Sequence, residues 1–403
     1  MPMAHSSLES IDLTLSYPGY VPFGVYIHVP FCQSRCGYCD FNTYTPGELG
    51  TAASPESYLV ALEKELEKAA ALRASVGDTR QAETIFIGGG TPSLLGADGL
   101  KRIVEAIKNT TGIEHDAEIT TECNPESTSP EFFDGLKAAG FTRISLGMQS
   151  ASPAVLKILE RVHTPGRPFA AAKEAIAAGF SHVNLDMIYG TPTETDTDVR
   201  DTLARVLETG VDHVSAYSLI VEDGTRMARN VRTGVLPPPD EDVYADRFHM
   251  VDTALIDAGF SWYEVSNWAK PGGECRHNLG YWRDADWWGA GPGAHSHMGD
   301  RRFFNVKHPA TYQRRLAEGE LPLAEVEELD VYARHEERLM LGLRLKEGLD
   351  VAELTPTELR RATDFVKQGL LVVSGDKIAV TDAGRLLADG MVADILVAGE
   401  TLD

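Results

Sequence analysis

Residues 138–146 read AAGFTRISL and residues 177–186 read AAGFSHVNLD. The phrase returns as TGVDHVSAY at 209–217 and AGFSWYEVS at 258–266. Each Gly closes a helical pattern and precedes a short alternating apolar run. That spells a helix ended by a left-handed Gly cap, then a strand. Upstream, segments 25–29, 83–87 and 117–121 are further strand candidates. Ser54-Pro55-Glu56, Ser129-Pro130-Glu131 and Ser152-Pro153 each place a Ser N-cap before Pro at the first helical position. Strand and helix alternating every roughly 30–40 residues imply parallel strands, because parallel neighbours need a crossover. Six such units fit between about residues 23 and 220, too few for an eight-fold barrel. The expected class is α/β, with a partial (β/α)6 barrel or open sheet and its site at the C-terminal strand ends.

The remaining chain divides by composition. Residues 1–22 precede the first strand, 23–220 hold the repeating units, 221–325 extend them, and 326–403 form a separate C-terminal domain. Residues 221–305 are rich in Trp, Tyr, Gly and Pro, including Pro237-Pro238-Pro239, and read as loops around a few strands. The last segment reads as two helices, a hairpin turning at Gly375-Asp376, and a helix capped at Thr381, a mostly helical, winged-helix-like unit.

The chain has 403 residues, with 37 Lys plus Arg against 60 Asp plus Glu, a net charge of −23. This acidity opposes nucleic-acid and anionic-membrane binding, which need clustered cations. No run reaches the ~18 apolar residues of a membrane span, and the N-terminus has neither the basic start nor the apolar core of a signal peptide. The expected location is the cytoplasm, where thiols stay reduced. Of five Cys, at 32, 36, 39, 123 and 275, three fall within eight residues, so they are not a spread disulfide framework.

CQSRCGYC, residues 32–39, carries the strongest chemical signal. Three thiolates do not close a structural zinc site, which takes four ligands. A [4Fe-4S] cluster held by Cys32, Cys36 and Cys39 leaves one iron open. An open iron can chelate the amino and carboxylate groups of S-adenosylmethionine (SAM), and an electron from the cluster can cleave the sulfonium. A zinc or redox-dithiol site is the alternative reading of the spacing. GGGTPS at 88–93 follows a strand but lacks the GK[ST] of a P-loop and the GxGxxG of a dinucleotide loop. GAGPGAH at 289–295 reads as a turn lining the site.

The motif CxxxCxxC with Tyr38 before its third Cys, and GGGTP about fifty residues on, resemble the radical SAM superfamily. The order VYIHVPFC, GGGTP, ECNP, SLGMQS, DMIYGTP, HN–YW, GPGAHS resembles its oxygen-independent coproporphyrinogen III oxidase branch over nearly the whole chain. Within that branch the HemN oxidases carry a further Cys two past the third, where this chain has Phe41, and a longer N-terminal extension. HNLGYW, residues 277–282, resembles the HNxxYW motif of the HemW heme chaperones. The resemblance implies that Tyr26, Gly89, Gly90, Thr91 and Glu122 contact SAM. It implies that Gln149, Arg161 and Asp186 contact a second SAM. His277 is the implied heme ligand, with Asn278, Tyr281 and Trp282 beside it and His28 and His295 as rivals. Cys123 and Cys275 are expected to be bystanders, Cys275 close to any heme. The implied partners are heme, an acceptor such as a respiratory cytochrome at the membrane, and an electron donor such as flavodoxin or ferredoxin. The enzymatic alternative is oxidative decarboxylation of coproporphyrinogen III. A heme bears two propionates, so local cations are expected at Arg276, Arg283, Arg301 and Arg302.

Overall fold

The structure, a computed structural model, describes residues 20–49 and 53–400. Most of the 1–22 extension therefore lies outside the described residues. Six strands follow one another in parallel: β1 (Phe23–Val29), β2 (Ala82–Gly89), β3 (Ile113–Cys123), β4 (Arg143–Gln149), β5 (His182–Tyr189) and β6 (His213–Ser218). β7 (Ser261–Glu264) and β8 (Asn267–Ala269) close the sheet antiparallel beyond β6. β9 (Asp286–Ala290) lies parallel to β1 on its other side, followed by antiparallel β10 (His295–Met298), β11 (Arg301–Asn305) and β12 (Leu323–Glu328).

The helix-to-strand turns fall where the repeated phrase puts them. Gly140, Gly179, Gly210 and Gly259 all have φ between +83° and +94°. Ser54 and Ser129 cap their helices by accepting the N–H of Ser57 and Phe132. Ser152 makes no such bond, and its own N–H goes to Ser150 Oγ instead. The buried faces of β1, β2, β4 and β5 fill one apolar core with the helices that cross over them.

Residues 221–325 hold more helix than their composition suggests. Helices occupy Arg226–Arg232, Glu241–Asp257, Arg276–Trp282 and Pro309–Ala317. HNLGYW is therefore helical rather than a loop. Its helix has no side-chain cap of its own. Instead Glu118 on β3 accepts the N–H of Arg276 (3.1 Å) and His277 (3.0 Å), a carboxylate at the positive end of a helix. Arg143 holds that carboxylate from the other side at 3.1 Å and donates to the carbonyls of Gly273 and Glu274.

The C-terminal segment has helices Val331–Gly342, Pro356–Lys367 and Ala388–Glu400 around a small antiparallel sheet of β13 (Leu349–Asp350), β14 (Leu371–Ser374) and β15 (Lys377–Val380). Thr381 caps a short turn through the Gly384 N–H, and the last helix starts later, at Ala388. This unit shares the core of the large sheet: Leu339, Phe365 and Ile395 belong to the same buried apolar cluster as the barrel strands.

Candidate functional site

Side chains two apart on a strand share a face. Thr120 and Glu122, Ser145 and Gly147, Asn184 and Asp186, and Ser215 and Tyr217 are such pairs on four adjacent strands, and all line one chamber of about 470 Å³. Its mouth, at the C-terminal strand ends, is covered by the loop after β1. That loop is pinned on both sides. Cys32 N–H bonds to Tyr44 O, Gly37 N–H to Leu159 O, and Asn42 Nδ2 to the carbonyls of Pro292 and Lys307.

Cys32, Cys36 and Cys39 are half-buried and line the chamber together. Thr91 Oγ1 lies 3.8 Å from Cys32 Sγ, and Arg161 Nη1 lies 3.6 Å from Cys36 Sγ. Burial pushes the Cys32 thiol up, and pushes Cys39 to about 11. Among the described residues, the one trio of His, Cys, Asp or Glu ligand atoms mutually within 4.8 Å is Asp284, His297 and Glu337. Three half-buried thiols facing one chamber supply three ligands, which suits a cluster with one unligated iron better than a closed four-ligand zinc site. Gly90 leaves room for the loop: a Cβ there would meet Phe31 O at 2.4 Å and Cys32 Sγ at 3.0 Å. Gly89 has φ +111° and gives its N–H to Glu122 Oε2 at 3.0 Å.

Two carboxyls sit deep in the chamber. Burial, then the nearby charge of Asp186, pushes Glu122 up to about 8. Burial also raises Asp186, against hydrogen bonds from Asn184 (2.6 Å) and Ser145. Both are poised to receive a cationic or hydroxyl-bearing ligand. Arg161 is half-buried, donating to Gly147 O (2.9 Å) and His163 Nε2 (2.7 Å). Gln149 lies beside it with φ +71°, a strained conformation for a side-chain-bearing residue.

The chamber gathers every expected cluster and SAM residue except Tyr26. Tyr26 stacks on Phe86 behind the wall and hydrogen-bonds His28 Nδ1 at 3.0 Å. His28 is further held by Asn42 O at 2.9 Å. The GAGPGAH turn does not line the chamber; it backs the cysteine loop, with Gly293 against Asn42. His277 is only 3% exposed, and both ring nitrogens are engaged, with Thr84 Oγ1 and Tyr281 Oη at 2.8 Å each. Burial lowers its pKa to about 4. Arg301 and Arg302 are not beside HNLGYW: they pair with Glu328, Glu327 and Glu337 on and beside the sheet edge. Cys275 is a buried thiol on Glu118. The sequence reading missed Asn184, which bonds Ser145, Asp186, Ser215 and His213. The signal was present: N-x-D is a two-residue polar period in an apolar strand.

Fold and chamber together define the radical SAM class. A model of the Radical SAM superfamily matches residues 26–206, and one of the HemN C-terminal domain matches 329–387. The heme chaperone HemW of Mycobacterium tuberculosis is 55% identical over 93% of this chain and 95% of that protein. HemW of Escherichia coli is 32% identical over 92% of this chain and 97% of its own length. The chain belongs to the HemW family. The solved structure of E. coli coproporphyrinogen III oxidase (HemN), a radical SAM enzyme, superposes with a TM-score of 0.79 at 25% identity, covering 94% of this chain and 90% of that one.

Proposed function

We propose that the protein is a HemW-type heme chaperone: it holds a [4Fe-4S] cluster on Cys32, Cys36 and Cys39, binds SAM beside it, and passes heme to an acceptor protein such as a respiratory cytochrome. One observation carries the cofactor half of this reading: the open three-cysteine loop shares a chamber with Glu122, Gln149, Arg161 and Asp186. The cluster would supply an electron to the sulfonium of SAM. The chain's own residues bind and orient. Gly89, Gly90 and Thr91 allow close backbone approach for the carboxylate or amino end of the ligand. Glu122 and Asp186 accept from its ammonium or hydroxyl groups. Arg161 places a fixed positive charge 3.6 Å from the Cys36 sulfur.

The position of Phe41 favours the chaperone over the oxidase. It is 58% exposed at the chamber mouth and offers no fourth thiol. Two anaerobic assays on reconstituted protein decide the matter. The account expects hemin binding, and no protoporphyrinogen formed from coproporphyrinogen III with SAM and a reductant. Sustained porphyrinogen turnover would overturn the chaperone reading.

A further inference from the structure

The floor of the cysteine chamber holds polar atoms that the fold itself does not use. Thr120 on β3 and Arg143 on β4 are register partners on adjacent parallel strands, and both line the chamber. Both are buried, Thr120 at 0% and Arg143 at 1% exposure. Among the described residues, Thr120 Oγ1 and Arg143 Nη1 have no hydrogen-bond partner. We propose that these two groups form a carboxylate-binding subsite that anchors the acidic end of a small organic ligand, beneath SAM in the same chamber. The subsite goes beyond the heme reading and does not depend on where heme binds.

The rest of Arg143 is committed. Its Nε donates to Glu118 Oε2 at 3.1 Å, and Nη2 donates to the carbonyls of Gly273 and Glu274 at 2.8 and 2.9 Å. These bonds fix the guanidinium plane and leave Nη1 as the unused edge. The polar groups around it are satisfied. Asn184 Nδ2 bonds Ser145 Oγ, Asp186 Oδ1 and Ser215 Oγ. Both ring nitrogens of His213 are engaged, one with Asn184 Oδ1 and one with Tyr263 Oη. Apart from Thr43 in the cysteine loop, Thr120 and Arg143 carry the chamber's only unpartnered buried side-chain polar atoms among the described residues. A buried donor without a partner costs stability, and folds keep few of them. Two on neighbouring strands, facing one chamber, mark the place of a ligand group.

The chemistry of the pair selects the ligand. A guanidinium N–H and a hydroxyl both donate, which matches the two oxygens of a carboxylate. The acids nearby do not cancel this. Glu118 is held by Arg143 and by the N–H groups of Arg276 and His277. One tier nearer the mouth, Glu122 is pushed up to about 8 and is mostly neutral at pH 7, and burial raises Asp186 as well. Arg143 precedes Gly147 by four residues, about 13 Å of strand at ~3.3 Å each. Gly147 O in turn holds Arg161, which reaches Cys36. That interval leaves room for the body of a ligand between the floor and the cysteine loop, against Phe86 and Ile188.

The test is a titration of the reconstituted full chain with propionate as the probe, at constant ionic strength, read by carbon-13 NMR of the labelled carboxylate. Wild type should bind it saturably, and reducing the cluster to its paramagnetic state should speed relaxation of the bound probe. Arg143 also holds Glu118, so Thr120 carries the mutational arm. Thr120→Val should weaken propionate about tenfold or more, the loss of a hydrogen bond to a charged group, and Thr120→Ser should retain it. Without ligand, Thr120→Val should unfold at a urea midpoint no lower than wild type, because its hydroxyl has no partner to lose. No saturable binding in wild type, unchanged binding in Thr120→Val, relaxation indifferent to cluster reduction, or equal displacement by chloride or phosphate would each overturn the subsite. A Thr120→Val chain that fails to fold would overturn it too, since the hydroxyl would then be structural. A chain that takes up no iron removes the cluster reading, and the isotherms of wild type and Thr120→Val still decide the subsite.

Discussion

Gly90 shows what a single missing side chain does. The chain at Phe31 and Cys32 passes so close that a methyl group would overlap a carbonyl oxygen. Gly90→Ala should displace the cysteine loop and lower iron per chain after reconstitution, while Cys36→Ser should abolish the brown chromophore; a full [4Fe-4S] absorption spectrum in Cys36→Ser would contradict the ligand set. Glu122 predicts a pH effect. Its folded pKa, about 8, lies above the ordinary carboxylate value. The folded state therefore binds the extra proton, and this stabilisation is complete below about pH 4.5 and lost as pH rises toward 8. In ligand-free protein, Glu122→Gln should flatten that part of the fall in urea midpoint; an identical pH profile would place Glu122 in solvent. At this scale the sequence was legible where ligands cluster locally. The cysteines and GGGTP declare themselves by spacing. The pairing of His182 with Asp212 does not, because the two lie thirty residues apart.

The helix Arg276–Trp282 was the element hardest to read. It is seven residues long, aromatic-rich and uncapped by any neighbour in sequence. Its cap, Glu118, lies 159 residues before His277, so no local pattern signals it. The αβ repeats were readable because their Ser-Pro starts and Gly ends are local. Glu118→Ala should unseat this helix and leave Arg143, 1% exposed, as an uncompensated charge. Breaking a buried pair in this way costs about 3–5 kcal/mol, to be read as a lower urea unfolding free energy. Glu118→Gln, which still accepts hydrogen bonds, should lose less. Equal stability of wild type and Glu118→Ala would show that the helix is held by its apolar contacts alone.

Across the whole molecule, β9 joins the sheet beside β1, so residues beyond 220 complete the sheet rather than merely follow it. Parallel pairing across more than 250 residues has no signature in a single sequence. The C-terminal unit is tied on by the shared core and by Arg334, which forks onto Asp284 at 2.8 and 2.6 Å beside His297. Asp284, His297 and Glu337 have the spacing of a metal site, but Arg334 and Arg302 already supply the positive charge. Arg334→Ala should loosen this junction by about 1–3 kcal/mol, seen as faster limited proteolysis near residue 330 with unchanged iron content. No helix among the described residues is long and apolar enough to cross a membrane.

The most direct measurement is the electron paramagnetic resonance spectrum of the reduced, reconstituted protein with and without SAM. Three protein thiolates leave one iron free, so the account predicts about four irons per chain and a spectrum that changes when SAM is added. A cluster signal indifferent to saturating SAM would contradict an open iron in the chamber of Cys32, Glu122 and Asp186.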